Sequence, residues 1–86
     1  MYFVYVLQSK KDSRLYNGFT GNLERRLKEH NQGLVTYTSP WKPWKLIYYE
    51  VFPNKKDALE QERYIKSGWG RRYIKKILRH YLQDNK

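Results

Sequence analysis

Apolar residues along this chain come in short runs separated by polar clusters, and the runs change period. Tyr2-Phe3-Val4-Tyr5-Val6-Leu7 is an unbroken stretch of β-branched and aromatic residues. It predicts a strand covered on both faces. Lys10-Lys11-Asp12-Ser13 is turn-like, and Arg14 to Thr20 predicts a second strand that closes a hairpin. Asn22 suits the N-cap of a helix from about Leu23 to Gln32, with Gly33 as its stop. Leu34 to Pro43 holds two prolines and several hydroxyls, and so predicts a loop. Leu46 to Phe52 predicts a third strand. Asn54, with Asp57 three residues on, predicts a helix start, and that helix should run to about Ser67. Gly68-Trp69-Gly70 should break it, before a basic helix from about Arg71 to Leu82. The order β-β-α-β-α-α predicts an α+β fold, with helices packed on a three-stranded sheet.

Polar residues interrupt these patterns at a few places. In the first helix Leu23 and Leu27 anchor an apolar stripe, and Arg26 and His30 occupy its remaining positions. Either both side chains face the sheet, or they lie at the stripe's edge with Arg26 reaching outward. In the second helix Ala58, Leu59, Ile65 and Trp69 form the stripe, and Glu62 sits in its middle. A buried carboxylate needs a partner, which here is Arg26, Lys66, a metal ion or a proton. In the hairpin, a turn near Asp12 puts Tyr5 opposite Gly18 and Tyr16 diagonally from Tyr5 on the same face. Gly18 should then leave space above the sheet for a ligand; ordinary aromatic packing is the alternative.

The chain has 86 residues, enough for one domain over 1–86. Charge changes the picture most. Eighteen Lys and Arg against eight Asp and Glu give +10. Such an excess attracts polyanions, nucleic acid first and an acidic membrane surface second. From Arg63 onward there are eight Lys or Arg, the last being Lys86, against the single Asp84. Ile74, Ile77, Leu78 and Tyr81 should give the last helix its core face, leaving Arg71, Arg72, Lys75, Lys76 and Arg79 for phosphates. Trp41 and Trp44 are candidates for stacking on unpaired bases or for packing over the sheet edge. With no cysteine, a disulfide framework, a thiol nucleophile and a Cys-ligated zinc site are excluded. No apolar run approaches the ~20 residues that span a bilayer, and no charged segment precedes an apolar one at the N-terminus. The expected setting is cytoplasmic, without a membrane partner.

Taken together, these residues resemble the GIY-YIG nuclease superfamily. Phe3-Val4-Tyr5 stands where that family has its first motif, and Tyr16-Asn17-Gly18 where it has its second. The segment Phe19 to Asn31 is similar to the helix that follows, and Glu62 matches the acidic residue of the later helix. Thr36 to Glu50 resembles the compact stand-alone subgroup, itself similar to the N-terminal nuclease domain of the excinuclease C subunit. Phe3 and Asn17 depart from the family's Gly and Ile, and Phe19 takes the place of a cation that several members carry. Asn85 lies too near the end to match the family's late Asn.

The resemblance implies a three-stranded antiparallel sheet flanked by helices. It also implies a metal-dependent endonuclease that hydrolyses phosphodiesters in DNA, with branched or repair intermediates among its substrates and RNA as an alternative. Glu62 would hold Mg²⁺ or Mn²⁺, Arg26 would bind the phosphate, and Tyr5 would deprotonate or orient the water. Tyr16 would bond the phosphate or share that task. His30 would orient Tyr16 or a phosphate, or be the base itself. A non-catalytic nucleic-acid-binding module on the same scaffold is the competing reading.

Overall fold

The computed structural model describes residues 1–84. Its first strand, β1 (Tyr2–Ser9), lies between β2 (Leu15–Thr20) and β3 (Trp44–Phe52). Both pairings are antiparallel. This central place explains the unbroken apolar run, since every residue from Val4 to Ser9 is buried. The register sets Tyr5 opposite Gly18 and Leu7 opposite Tyr16, the expected diagonal.

Strand alternation divides the core in two. On one face Val4 and Val6 pack against Ala58 and Ile65 of α2 (Lys55–Lys66) and Ile74 of α3 (Gly68–Ile77). On the other face Tyr5, Leu7 and Trp44 meet Tyr16 and, from α1 (Leu23–Asn31), Leu23 and Leu27. The caps are those the sequence signals. The Asn22 carboxamide accepts from Arg25 N at 3.0 Å, and that of Asn54 from Lys56 N at 2.8 Å. Gly33 follows α1 at φ +79°, a backbone angle that favours glycine.

Three expectations change. First, β3 begins at Trp44 rather than Leu46. Trp44 is buried with its indole N–H donating to the Thr38 carbonyl at 3.0 Å, so it packs and cannot stack on a base. Trp41, in a single 3₁₀ turn (Ser39–Trp41), carries the Arg14 guanidinium 3.3 Å from its ring centroid.

Second, α2 ends where expected, at Lys66, but the glycines at 68 and 70 open α3 instead of standing between helices. The chain bends at Ser67, whose hydroxyl accepts from Gly70 N at 3.2 Å. A Cβ on Gly70 would strike the Tyr64 carbonyl and the Ile65 Cα, so glycine is what lets α3 close on the end of α2. Trp69 therefore leaves the α2 stripe and is 72% exposed.

Third, the final helix is two pieces, α3 and then α4 (Arg79–Asp84). Ile74 is buried and Leu78 packs on the core, but Ile77 points outward. Tyr81 donates its hydroxyl proton to the Gln8 side chain at 2.8 Å. Asn85, and the Lys86 counted in the basic segment, lie outside the described residues.

Candidate active site

The hairpin register determines the site's geometry. Gly18 does not leave an open space above the sheet, as its pairing suggested. The Tyr5 ring fills that space: a Cβ on Gly18 would stand 2.5 Å from the phenol oxygen and 2.7 Å from Cζ. Glycine is required here because the neighbouring strand's own side chain crosses over it. Tyr5 is consequently 1% exposed.

The Tyr5 hydroxyl meets His30 Nε2 at 2.8 Å, and His30 Nδ1 meets the Thr38 hydroxyl at 2.7 Å. His30 and Thr38 are both buried. Burial first, then the Arg26 charge, pull the His30 pKa down to about 4, so the imidazole is neutral at pH 7. A neutral ring has one donor and one acceptor. The Thr38 hydroxyl also reaches the Val35 carbonyl at 3.4 Å, and a carbonyl only accepts. The arrangement that satisfies every group has Nδ1–H donating to Thr38 and Nε2 accepting from Tyr5. The Arg26 guanidinium lies close enough to the Tyr5 oxygen for its charge to favour it. A polarised chain thus runs from Tyr5 through His30 and Thr38 to the Val35 carbonyl, with the Arg26 charge beside its Tyr5 end.

Burial, against the favourable influence of Arg26, pushes the Tyr5 phenol up to about 12. Nearby negative charge, including that of Glu62, adds to the effect. Tyr5 therefore keeps its proton at neutral pH and is a hydrogen-bond donor in the resting protein, not a phenolate. Arg26 is half-buried and ion-paired to Glu29 at 3.0 Å, which with Tyr5 holds the guanidinium firmly protonated.

Tyr16 lies on the same face and packs its ring edge against His30, with centroids 5.2 Å apart. It is half-buried and touches the exposed Tyr37 at 5.9 Å. His30 thus hydrogen-bonds Tyr5 rather than Tyr16. Being fully buried with both nitrogens engaged, it does not reach a phosphate. Tyr16 is the phenol within reach of solvent.

Glu62 on α2 is 19% exposed at its side chain and pairs with Lys66, not Arg26, at 3.3 Å. Among the described residues no three His, Asp or Glu side chains converge as a protein cage for a metal. One half-buried carboxylate whose partner is an exposed lysine still fits Mg²⁺ or Mn²⁺. Such ions keep several waters and take one or two carboxylates.

The five cations expected to bind phosphate, Arg71, Arg72, Lys75, Lys76 and Arg79, are all exposed. They do not form one row. Arg71 and Lys75, one turn apart, border a groove against β2, while Arg72 lies 5.3 Å from the Trp69 ring centroid. Sequence reasoning missed Thr38, Tyr37 and the exposed Trp69. Thr38 sits in a stretch rich in hydroxyls, but no periodicity marks the one that faces inward.

Helices on both faces of a three-stranded antiparallel sheet, with two tyrosines from one hairpin meeting the arginine and histidine of the next helix, define a class of small nuclease-like α+β domains. The chain belongs to the GIY-YIG catalytic domain family, whose model matches residues 1–76. Among its relatives, a UPF0213 protein of Clostridium perfringens is 49% identical over 67 residues, covering 77% of this chain and 71% of that protein. One from Bacillus licheniformis is 46% identical over 66 residues, covering 76% and 67%. The solution NMR structure of the UPF0213 protein BH0048 from Bacillus halodurans matches with a TM-score of 0.55 at 31% identity, covering 90% of this chain and 85% of that one. Family membership implies a nucleic-acid substrate. No helix among the described residues is long and apolar enough to cross a membrane.

Proposed function

We propose that this chain is a metal-dependent endonuclease that hydrolyses phosphodiester bonds in DNA, acting in the cytoplasm on branched or repair intermediates. The observation that carries the reading is the buried hydrogen-bonded chain Tyr5–His30–Thr38, with the half-buried Arg26 beside its phenol and Tyr16 against the same imidazole. A structural core has no need for a phenol, an imidazole and a hydroxyl bonded in series beside a half-buried guanidinium. A site that must present positive charge to a phosphate does.

Each residue has a physical task in this reading. Arg26 donates to the non-bridging phosphate oxygens as negative charge grows on them. Tyr16, the accessible phenol, orients the attacking water or bonds the phosphate. Tyr5, one layer deeper and protonated, fixes the angle of Arg26 and backs the Tyr16 ring through His30. Glu62 would hold Mg²⁺ or Mn²⁺, which when bound supplies positive charge for the leaving oxygen. The exposed cations of α3 and α4 bind the flanking backbone without reading its sequence.

A non-catalytic binding module is supported by one observation of its own: ion pairs to Glu29 and Lys66 occupy Arg26 and Glu62. A cleavage assay separates the two readings, using duplex, single-stranded and branched DNA and an RNA, with and without Mg²⁺ or Mn²⁺. We expect metal-dependent cleavage of DNA that Glu62→Gln abolishes while the fold, followed by circular dichroism, is kept. Absence of cleavage on every substrate, with binding intact, would establish the binding module instead.

A further inference from the structure

A groove of about 730 Å³ lies between β2 and the elbow where α2 meets α3, beside the candidate site but outside its hydrogen-bonded chain. Its floor is apolar, with Ile65 and Ile74 at its base. Among its lining residues are Arg14, Lys66, Arg71 and Lys75, and no carboxylate. Arg14 is paired with Asp12 at 2.7 Å and Lys66 with Glu62 at 3.3 Å. Among the described residues Arg71 and Lys75 have no ion-pair partner, which leaves two free positive charges one helical turn apart. Tyr16 and Tyr37 form the end that the groove shares with the candidate site.

Asn17 is the residue this description does not absorb. It is paired with Val6 on the α2 side of the sheet, half-buried, and lines the groove. Its side chain makes no hydrogen bond among the described residues. Among the described residues no side-chain polar atom is both buried and unpartnered, so the Asn17 carboxamide is open to solvent and to a ligand. A ligand that offers both a donor and an acceptor can take the place of water there. A planar nucleobase does so: its faces suit an apolar floor and its edge matches a carboxamide. The phosphate attached to it suits Arg71 and Lys75. In a duplex the Watson–Crick edge is already paired and the base faces are stacked, so the recess fits a base that has left the helix.

We propose that this groove holds one unpaired nucleotide next to the phosphate being attacked, with its base over Ile65 and Ile74, its edge on Asn17 and its phosphate on Arg71 and Lys75. The proposal rests on the nucleic-acid reading above and narrows it to substrates with an unpaired base. The test is fluorescence anisotropy in the presence of a metal chelator, so that cleavage does not enter. One probe is a short blunt DNA duplex; the other is the same duplex with a single unpaired nucleotide. The native chain should bind the second about tenfold more tightly. Asn17→Leu should bring the two within about twofold of each other while leaving the blunt duplex unchanged. Asn17→Ala gives the same reading if the leucine variant does not fold. Equal affinities for the native chain would overturn the groove assignment, as would a preference that survives both substitutions. So would displacement by polyglutamate as efficient as by unlabelled bulged duplex. Failure to bind either duplex would remove the nucleic-acid reading itself, a result distinct from bound duplex without preference.

Discussion

The buried histidine makes the protein sensitive to mild acid, and the size of the effect follows from its surroundings. His30 is fully buried, and Tyr5, Tyr16, Arg26, Glu29 and Thr38 surround its ring. Its folded pKa is about 4, against about 6.5 in an unfolded chain. Below pH ~6.5 the unfolded chain takes up a proton that the folded chain refuses. This group's contribution is therefore complete above pH ~6.5 and is lost as the pH falls toward about 4. Between pH 7 and about 4.5 the loss amounts to roughly 2.5 kcal/mol, at about 1.4 kcal/mol per unit across the window. Against a total of 5–15 kcal/mol typical of small domains, that is a large fraction. Urea unfolding followed by tryptophan fluorescence at several pH values between 7 and 4.5 measures it, since Trp44 is buried beside the site. His30→Gln removes the titration. It lowers stability at pH 7, but its stability should vary much less across the window. The slope, not the absolute value, is the readout, and exposed His80 is present in both proteins. A native stability flat from pH 7 to about 4.5, or a variant with the native slope, would refute the assignment of a neutral buried imidazole.

The two tyrosines should separate by role. Tyr16→Phe should cut cleavage by about 10²-fold or more with binding retained. Tyr5→Phe should cost about tenfold and raise KM as Arg26 loses its support, and a larger effect at Tyr5 than at Tyr16 would reverse the order of roles. Gly18→Ala should destabilise by about 1–3 kcal/mol, because the new methyl overlaps the Tyr5 phenol; an unchanged denaturation midpoint would mean the ring sits elsewhere. If about five cations of the last two helices reach phosphates, the log–log salt dependence of duplex binding should have a slope of roughly −4 to −5. Neutralising Arg71, Arg72 and Lys75 together should flatten it by about 2–3 units, and an unchanged slope would take α3 off the binding surface.

Period and local chemistry made most of this fold legible. The hairpin register followed from a short turn between two strands: a one-residue slip puts the two tyrosines on opposite faces, and the turn near Asp12 picks among the alignments that keep them together. Asn22 and Asn54 marked helix starts because an N-cap acts within three residues of itself. What stayed hidden depends on groups far apart in the chain. Gly70 reads locally as a helix breaker, but its reason is the carbonyl of Tyr64 in the preceding helix, which a side chain would strike. Thr38 reads as one hydroxyl among several, and only the arrival of His30 from α1 singles it out. Trp69 fits the α2 stripe by spacing alone, and the bend at Ser67 then turns it to solvent.

The division of labour between the tyrosines belongs to the same class of hidden fact. By motif alone Tyr5 and Tyr16 are equivalent phenols on one face, and the first is as good a candidate to act on water as the second. Strand order breaks the equivalence. β1 is central and β2 is an edge, so a side chain from β1 is covered by α1 and by both neighbouring strands, while one from β2 keeps a side toward solvent. Gly18 completes the asymmetry, because without a side chain there the Tyr5 ring lies down over β2 instead of standing clear of the sheet. The deeper phenol is then desolvated, raised to about 12, and bonded to an imidazole. The shallower one is left beside the groove and the exposed Tyr37. In the proposed reading, a glycine in the second motif thus decides which tyrosine would meet a substrate and which one lies buried behind it.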